Sequence, residues 1–141
     1  LILGVGDAKT GEFNSVQYSA SVANFITADN LLPKNDTWHA PIDNVVYFGM
    51  DWLCPNFSEV LHDRLVKNWG SLSPAVMIKD VIALTQTGNL HIAVYDLAQD
   101  NVYVSFMRKS SGDETDGEGN LAFERTFTRI DVDALFAVAP Q

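Results

Sequence analysis

One segment, residues 90–107, constrains the fold of this chain more than any other. Residues 90–97 and 101–107 are two β-prone runs joined by Ala98-Gln99-Asp100, which predicts an antiparallel hairpin. We expect one face to carry Leu90, Ile92, Val94, Val102, Val104 and Phe106. The other face, with His91, Ala93, Tyr95, Tyr103, Ser105 and Met107, is also largely apolar. Because a sheet that is apolar on both faces must be covered on both, the hairpin predicts a layered protein.

The rest of the sequence predicts strands before and after a central helical segment. Strands are predicted at residues 1–7, 13–20, 22–27, 45–48 and 122–130. Asn56 with Glu59 forms a capping-box pattern for a helix that stops at Gly70. Ser73 and Pro74 begin a second helix, which ends near Thr85. Helices between antiparallel strands indicate an α+β layered fold.

The sequence contains no evident linker between domains. We therefore interpret residues 1–141 as a single domain or as the C-terminal portion of one. Residues 110–120 form an acidic, glycine-containing stretch that predicts a mobile loop. Asp131 is a candidate cap for a short helix that reaches Phe136.

Composition narrows the classes of function. Hydrophobic residues make up 47% of the 141 residues, which is enough for a core, and the formal net charge is −9. Nine basic residues, outnumbered by 18 acidic ones, do not supply the clustered charge that nucleic acid or an anionic membrane surface requires. No run approaches the ~20 apolar residues of a membrane span.

Cysteine and histidine usage argues against metal and disulfide chemistry. Cys54 is the single cysteine, so a disulfide within the chain is impossible. Cys54 is interpreted as a buried apolar residue, an intermolecular bridge or a nucleophile near a helix N-terminus. The three histidines are too widely spaced for a zinc site. The acidic loop lacks the glycine that a calcium-binding loop needs, since Glu118 stands at that position.

Two stretches carry a resemblance to a known family. They are residues 44–55 (NVVYFGMDWLCP) and residues 86–97 (QTGNLHIAVYDL), the second followed by Tyr103-Val104-Ser105-Phe106. Together they resemble the C-terminal half of secreted acid-ceramidase-like proteins. Those proteins belong with the acyl-coenzyme A:isopenicillin N acyltransferase-like N-terminal-nucleophile (Ntn) hydrolases. The similarity runs over nearly the whole chain.

The resemblance implies a four-layer αββα sandwich and autocatalytic cleavage. The cleavage exposes a cysteine at the start of a second chain, and this cysteine attacks an amide or thioester carbonyl with its own amine as base. The substrate would be a small-molecule or lipid amide, and no metal or organic cofactor is implied. This sequence departs from the pattern, because its first residue is Leu1 and Cys54 is internal. The nucleophile is therefore expected upstream of Leu1 or on a partner chain of the same precursor.

Four candidate catalytic residues follow from the resemblance. Asn30, with Asn24 second, would donate to the oxyanion; the alternative for Asn30 is a turn residue after Asp29. Arg108 would match a late-strand arginine or be a surface cation. His91 and Asp51 lie within the two stretches and would support the site or satisfy buried polar groups.

The compartment expected from the resemblance is secreted or lysosomal. Such a compartment would make glycosylation of the sequons at Asn35 and Asn56 credible. Two other hypotheses stay open: a non-catalytic, secreted structural or binding protein on the same fold, and an enzyme that uses Cys54 itself.

Overall fold

The computed structural model describes residues 2–31, 39–47, 57–108 and 121–138. Its contacts divide the chain into two compact units, Leu1–Trp69 and Gly70–Gln141, and each unit is described by itself. Each contains one three-stranded antiparallel sheet and helical segments. The predicted α+β class is therefore confirmed.

The sheet of the first unit is a meander of β1 (Ile2–Asp7), β2 (Glu12–Tyr18) and β3 (Ala23–Ile26). All three strands were predicted, and so was the turn before β2. Gly11 takes φ +69° in that turn, a conformation that glycine adopts at low cost. The Gly11 N–H closes the turn by donating to the Asp7 carbonyl at 2.9 Å.

Helix α1 (Phe57–Lys67) and a nearby loop complete the described part of the first unit. Gly70, at φ +76°, follows the helix and confirms the predicted stop. The predicted strand at 45–48 is wrong for residues 45–47, because Ile42 and Val45 form only an isolated bridge. Asn44, at φ 57°, turns the chain between them, which prevents an extended run.

A helical segment spans residues 74–85 in the second unit. It consists of α2 (Pro74–Val76), a π-helix (Met77–Ile82) and α3 (Ala83–Thr85). The Ser73 side chain accepts the Val76 N–H at 3.3 Å, which confirms the predicted cap. The π-helix was not predicted, since hydrophobic spacing does not distinguish it from an α-helix.

The sheet of the second unit is formed by β4 (His91–Asp96), β5 (Asn101–Phe106) and β6 (Thr128–Asp131). Helix α4 (Val132–Phe136) follows β6, and the Asp131 carboxylate caps it by accepting the Ala134 N–H at 2.9 Å. The predicted strand at 122–130 is wrong in its first part. Residues Ala122–Glu124 form a 3₁₀ turn, in which the Glu124 carboxylate accepts the Leu121 N–H.

The predicted pairing of faces in the β4–β5 hairpin is wrong by one residue. Four residues, 97–100, connect the strands, and the register pairs Ile92 with Ser105 and Val94 with Tyr103. One extra loop residue moves every side chain of the partner strand to the opposite face. Val102, Val104 and Phe106 therefore share a face with His91 and Tyr95.

Only one face of this sheet is well covered. Along β4, exposed and half-buried residues alternate, with Ile92 and Val94 on the half-buried side. On the other side, Tyr95 is 66% and Phe106 63% exposed. The expectation that both faces are covered is therefore wrong for this chain by itself.

Several predictions lie outside the described residues. They concern Asp51, Cys54, the two sequon residues Asn35 and Asn56, and the acidic loop at 110–120. In the described part of the chain, no helix has the length and apolar character needed to cross a membrane.

Candidate functional site

Asn30, the predicted oxyanion donor, closes the turn that follows β3. Its backbone N–H donates to the carbonyl and to the hydroxyl of Thr27, each at 3.2 Å. Its side-chain Nδ2 donates to the Phe25 carbonyl at 3.3 Å. An amide nitrogen carries two hydrogens, so one remains for a second acceptor. Asn30 as a whole is exposed.

Asn24, the second candidate, lies within β3 itself. Its Nδ2 donates to the Gln17 side chain on the neighbouring strand β2 at 3.2 Å. This contact is a cross-strand pair between two polar residues that face each other in the register. The geometry therefore gives Asn24 a role within the sheet.

A polar cleft lies beside the turn that Asn30 closes. It has a volume of about 470 Å³, and three of the described stretches of the first unit line it. These are the start of β2, the turn after β3 and the loop at 44–46; the lining residues are Gly11, Glu12, Phe13, Asn14, Thr27, Ala28, Asp29, Asn44 and Val46. We call it the first-unit cleft.

Hydrogen bonds of a buried histidine hold the third wall of the cleft. His39 is 1% exposed, and its Nε2 contacts the Tyr47 carbonyl at 2.7 Å. The Tyr47 hydroxyl donates back to the Ala40 carbonyl, and the two rings pack edge to face at 4.8 Å. These contacts tie the ends of the loop 39–47 together. They thereby fix the position of Asn44 at its tip.

The described side chains that line the first-unit cleft are acidic or neutral. Glu12 and Asp29 supply carboxylates, and Asn14, Thr27 and Asn44 supply neutral hydrogen-bonding groups. Among the described residues that line it there is no lysine or arginine, so the charges of these residues favour cations and hydrogen-bond donors. Sequence reasoning missed Glu12 and Asn44. The Asp43-Asn44 pair in a turn was the available signal, because asparagine tolerates positive φ.

His91 and Arg108 lie at the same end of the β4–β5 hairpin in the second unit. His91 begins β4, opposite Phe106, and the two rings stack with centroids 6.5 Å apart. Arg108 follows β5 by two residues, directly after Met107, whose N–H donates to the Leu90 carbonyl. Both residues are exposed. The stacked, exposed His91 is thus one member of a cross-strand aromatic pair.

The predicted residues fall in different places. Asn30 belongs to the first unit, and His91 and Arg108 belong to the second, whereas Asp51 lies outside the described residues. Within the described residues, no group of three His, Cys, Asp or Glu side chains is placed to hold a metal ion.

Comparison with known proteins gives one informative similarity. No protein-family model matches the chain, and no solved structure matches it. The chain is similar to Protein dcd1A of Dictyostelium discoideum, at 28% identity over 141 residues. The similarity covers 96% of this chain and 32% of that protein, so the chain spans about a third of the length of this relative.

Proposed function

We propose that this chain is the C-terminal subunit or fragment of a secreted or lysosomal amidohydrolase or acyltransferase of the Ntn type. The nucleophile in this proposal is an N-terminal cysteine upstream of residue 1 or on a second chain of the same precursor. The proposal rests on the resemblance of residues 44–55 and 86–97 to that family. A relative of which the match covers only 32% is compatible with a chain that supplies part of a larger protein.

The observation that supports the proposal best is that Asn30 directly follows the turn residues that line the first-unit cleft. The Thr27–Asp29 wall of the cleft belongs to the turn that Asn30 closes. When a thiolate attacks an amide carbonyl, negative charge develops on the carbonyl oxygen and must be stabilised by hydrogen-bond donors. The free hydrogen of Asn30 Nδ2 is such a donor, and the Phe25 carbonyl restrains its amide group.

The fold that goes with this proposed function is a four-layer αββα sandwich, of which this chain would supply part. In such a sandwich each sheet is covered by a helix layer on one side and by the other sheet on its second side. Both sheets of this chain carry exposed apolar residues, among them Leu3, Val5 and Phe25 in the first and Tyr95 and Phe106 in the second. Exposed apolar surface of this kind is expected if other segments of a larger assembly cover these sheets.

The first test is chemical analysis of the processed protein. Every polypeptide in the purified sample is identified by intact mass and N-terminal sequencing, before and after glycan removal. We expect a second chain that begins with cysteine, and a mass loss from Asn35 or Asn56 on glycan removal. A single unmodified chain without amide-hydrolysing activity would overturn the proposal and favour the non-catalytic binding protein.

The second test uses Asn30 in that processed protein. With a fluorogenic acyl amide as substrate, we expect Asn30→Ala to lower kcat by about 10²- to 10³-fold, as loss of an oxyanion donor does elsewhere. Asn24→Ala is the matched control, because its amide bonds to Gln17 within the sheet. A loss with Asn24→Ala alone would move the role to Asn24. No loss with either substitution would contradict an oxyanion role for both.

A further inference from the structure

The second unit contains a separate cavity of about 360 Å³, a size typical of small-molecule sites. It lies where the first turns of the 74–85 helical segment meet residues of β4 and β5. The described residues that line it include Pro74, Ile78, Phe127, Lys79, Asp96 and Tyr103. The first three provide an apolar wall, and the last three bring polar groups to it. We call it the second-unit cavity.

The π-helix points to this cavity independently of its shape. The Ala83 N–H donates to the Ile78 carbonyl, five residues earlier, instead of to the carbonyl four residues earlier. Short π-helical turns interrupt the regular helical ladder and are frequent at functional sites. Ile78 and Lys79 are both in this π-helical turn, and both line the cavity. The irregular backbone therefore places one apolar and one charged side chain at the same opening.

Three polar side chains of the cavity, those of Lys79, Asp96 and Tyr103, are available to a ligand. In the part of the chain that the structure describes, Lys79 and Asp96 form no ion pair, and the Tyr103 hydroxyl makes no hydrogen bond. Asp96 and Tyr103 are half-buried, so pairing with a ligand would offset their partial loss of water. Together the three groups offer hydrogen-bond donors and acceptors.

The two opposite charges disfavour a ligand that carries a single charge. A carboxylate would be attracted by Lys79 and repelled by Asp96, and an ammonium group would meet the reverse. An uncharged head that both donates and accepts, such as an amide, can satisfy the aspartate, the lysine and the tyrosine hydroxyl together. We propose that the second-unit cavity binds a small uncharged amphiphile, with its apolar body against Ile78 and Phe127 and its amide-like head toward Asp96 and Lys79. The proposal is independent of the catalytic function proposed above.

The test compares three probes of matched shape and different charge: phenylacetamide, phenylacetate and phenethylammonium. Binding is followed by NMR on the methyl groups of Ile78 and on the rings of Tyr103 and Phe127. We expect phenylacetamide to bind about 10-fold more tightly than either ion, because one of the two charged groups of the cavity repels each ion. Equal binding of all three probes, or no binding up to their solubility limit, would overturn the proposal.

Variants separate specific binding from loss of folding. Ala75→Trp fills the cavity from an exposed helical position and should weaken phenylacetamide binding by at least about 10-fold. Leu84→Trp is the control, since Leu84 is exposed on the same helical segment and does not line the cavity. Asp96→Asn should shift the preference toward phenylacetate, and Lys79→Gln should shift it toward phenethylammonium. An unchanged order of affinities in both charge variants would contradict the assigned head-group contacts.

Discussion

The two sheets are built alike yet covered differently. In each, a four-residue loop joins the first two strands and ends in a residue of positive φ, Gly11 in one and Asp100 in the other. In each, the middle strand carries a buried serine, Ser15 or Ser105, that donates to a carbonyl. However, β1 is exposed along its whole length, whereas β4 alternates between exposed and half-buried residues. Similar local rules therefore do not determine how much of a sheet is covered.

The serines show where the difference arises. The Ser15 hydroxyl donates to the Leu3 carbonyl on the neighbouring strand, so its bond stays inside the sheet. The Ser105 hydroxyl donates to the Ala122 carbonyl in the 3₁₀ turn, at 2.7 Å. The second sheet is thus tied to a segment outside it that covers one face. In the first sheet, the serine bond joins only elements that already pair.

The largest effect is expected for the glycine before β4. Gly88 has φ +87°, and a Cβ there would lie 2.3 Å from Cγ1 of the β-branched Ile92. Gly88→Ala should cost about 2–6 kcal/mol of unfolding free energy from backbone strain and overpacking. The matched control is Gly11→Ala in the first sheet. Gly11 has φ +69° and no neighbour within 4 Å, so the cost there should be about 1–2 kcal/mol. Denaturant unfolding measures both, and equal losses would contradict the described contact.

A second prediction tests which face of the first sheet is buried. Ile26 is 0% exposed, whereas Phe25, its neighbour in β3, is 65% exposed. We expect Ile26→Ala to destabilise the protein by about 2–5 kcal/mol, because it leaves a cavity. Phe25→Ala should cost about 1 kcal/mol or less. Hydrogen exchange of the amides of β1 to β3 localises the effect. A larger loss for Phe25→Ala would mean that the other face is the buried one.

A smaller loss of unfolding free energy is expected when the hydroxyl of either buried serine is removed. Ser105→Ala removes the 2.7 Å hydrogen bond to the buried Ala122 carbonyl, which keeps only the longer bond from the Arg125 N–H at 3.3 Å, and should cost about 1–2 kcal/mol. Ser15→Ala should cost about 0.5–1.5 kcal/mol, since Leu3 is 49% exposed and water has access near its carbonyl. Unfolding free energies of the two variants test this order. A reversed order would show that the 3₁₀ turn is held by other contacts.

The smallest change in stability is expected for substitutions in the two hairpin loops, at Asp100 and Gly11. Asp100 takes φ 49°, a conformation that costs a side chain more than it costs glycine. Asp100→Gly should raise stability by a few tenths and at most about 1 kcal/mol, because the greater flexibility of glycine in the unfolded chain offsets part of the gain. The reciprocal change, Gly11→Asp, should lower it. Thermal unfolding of both variants is the measurement, and a loss with Asp100→Gly would indicate that its side chain stabilises the loop.

Sequence reasoning predicted the elements well and their pairing poorly. The capped helix start at Ser73 and the stop at Gly70 follow from local backbone chemistry, which a short window of residues determines. The β4–β5 register depended on whether the loop has three or four residues. Loop length within one residue is not encoded in the alternation of apolar side chains, although it decides which face each of them occupies.

For the candidate site too, the sequence indicated single residues but not how they come together. The resemblance selected Asn30, but the cleft beside it depends on Glu12, Asp29 and Asn44, which are far apart in sequence. The second-unit cavity likewise depends on a π-helical turn that the apolar spacing of residues 76–82 did not reveal. Such sites arise where separate segments meet, so local patterns locate their parts but not their assembly.

The sequence by itself determined the α+β class, the strand and helix positions near their caps and turns, and the acidic charge. These properties depend on residues within a few positions of one another or on simple sums over the chain. Only the tertiary structure decided which sheet face is open, which carbonyl each buried serine meets, and which side chains line the cleft and the cavity. Those outcomes depend on register and on contacts between distant segments, in which one residue of difference reverses a face.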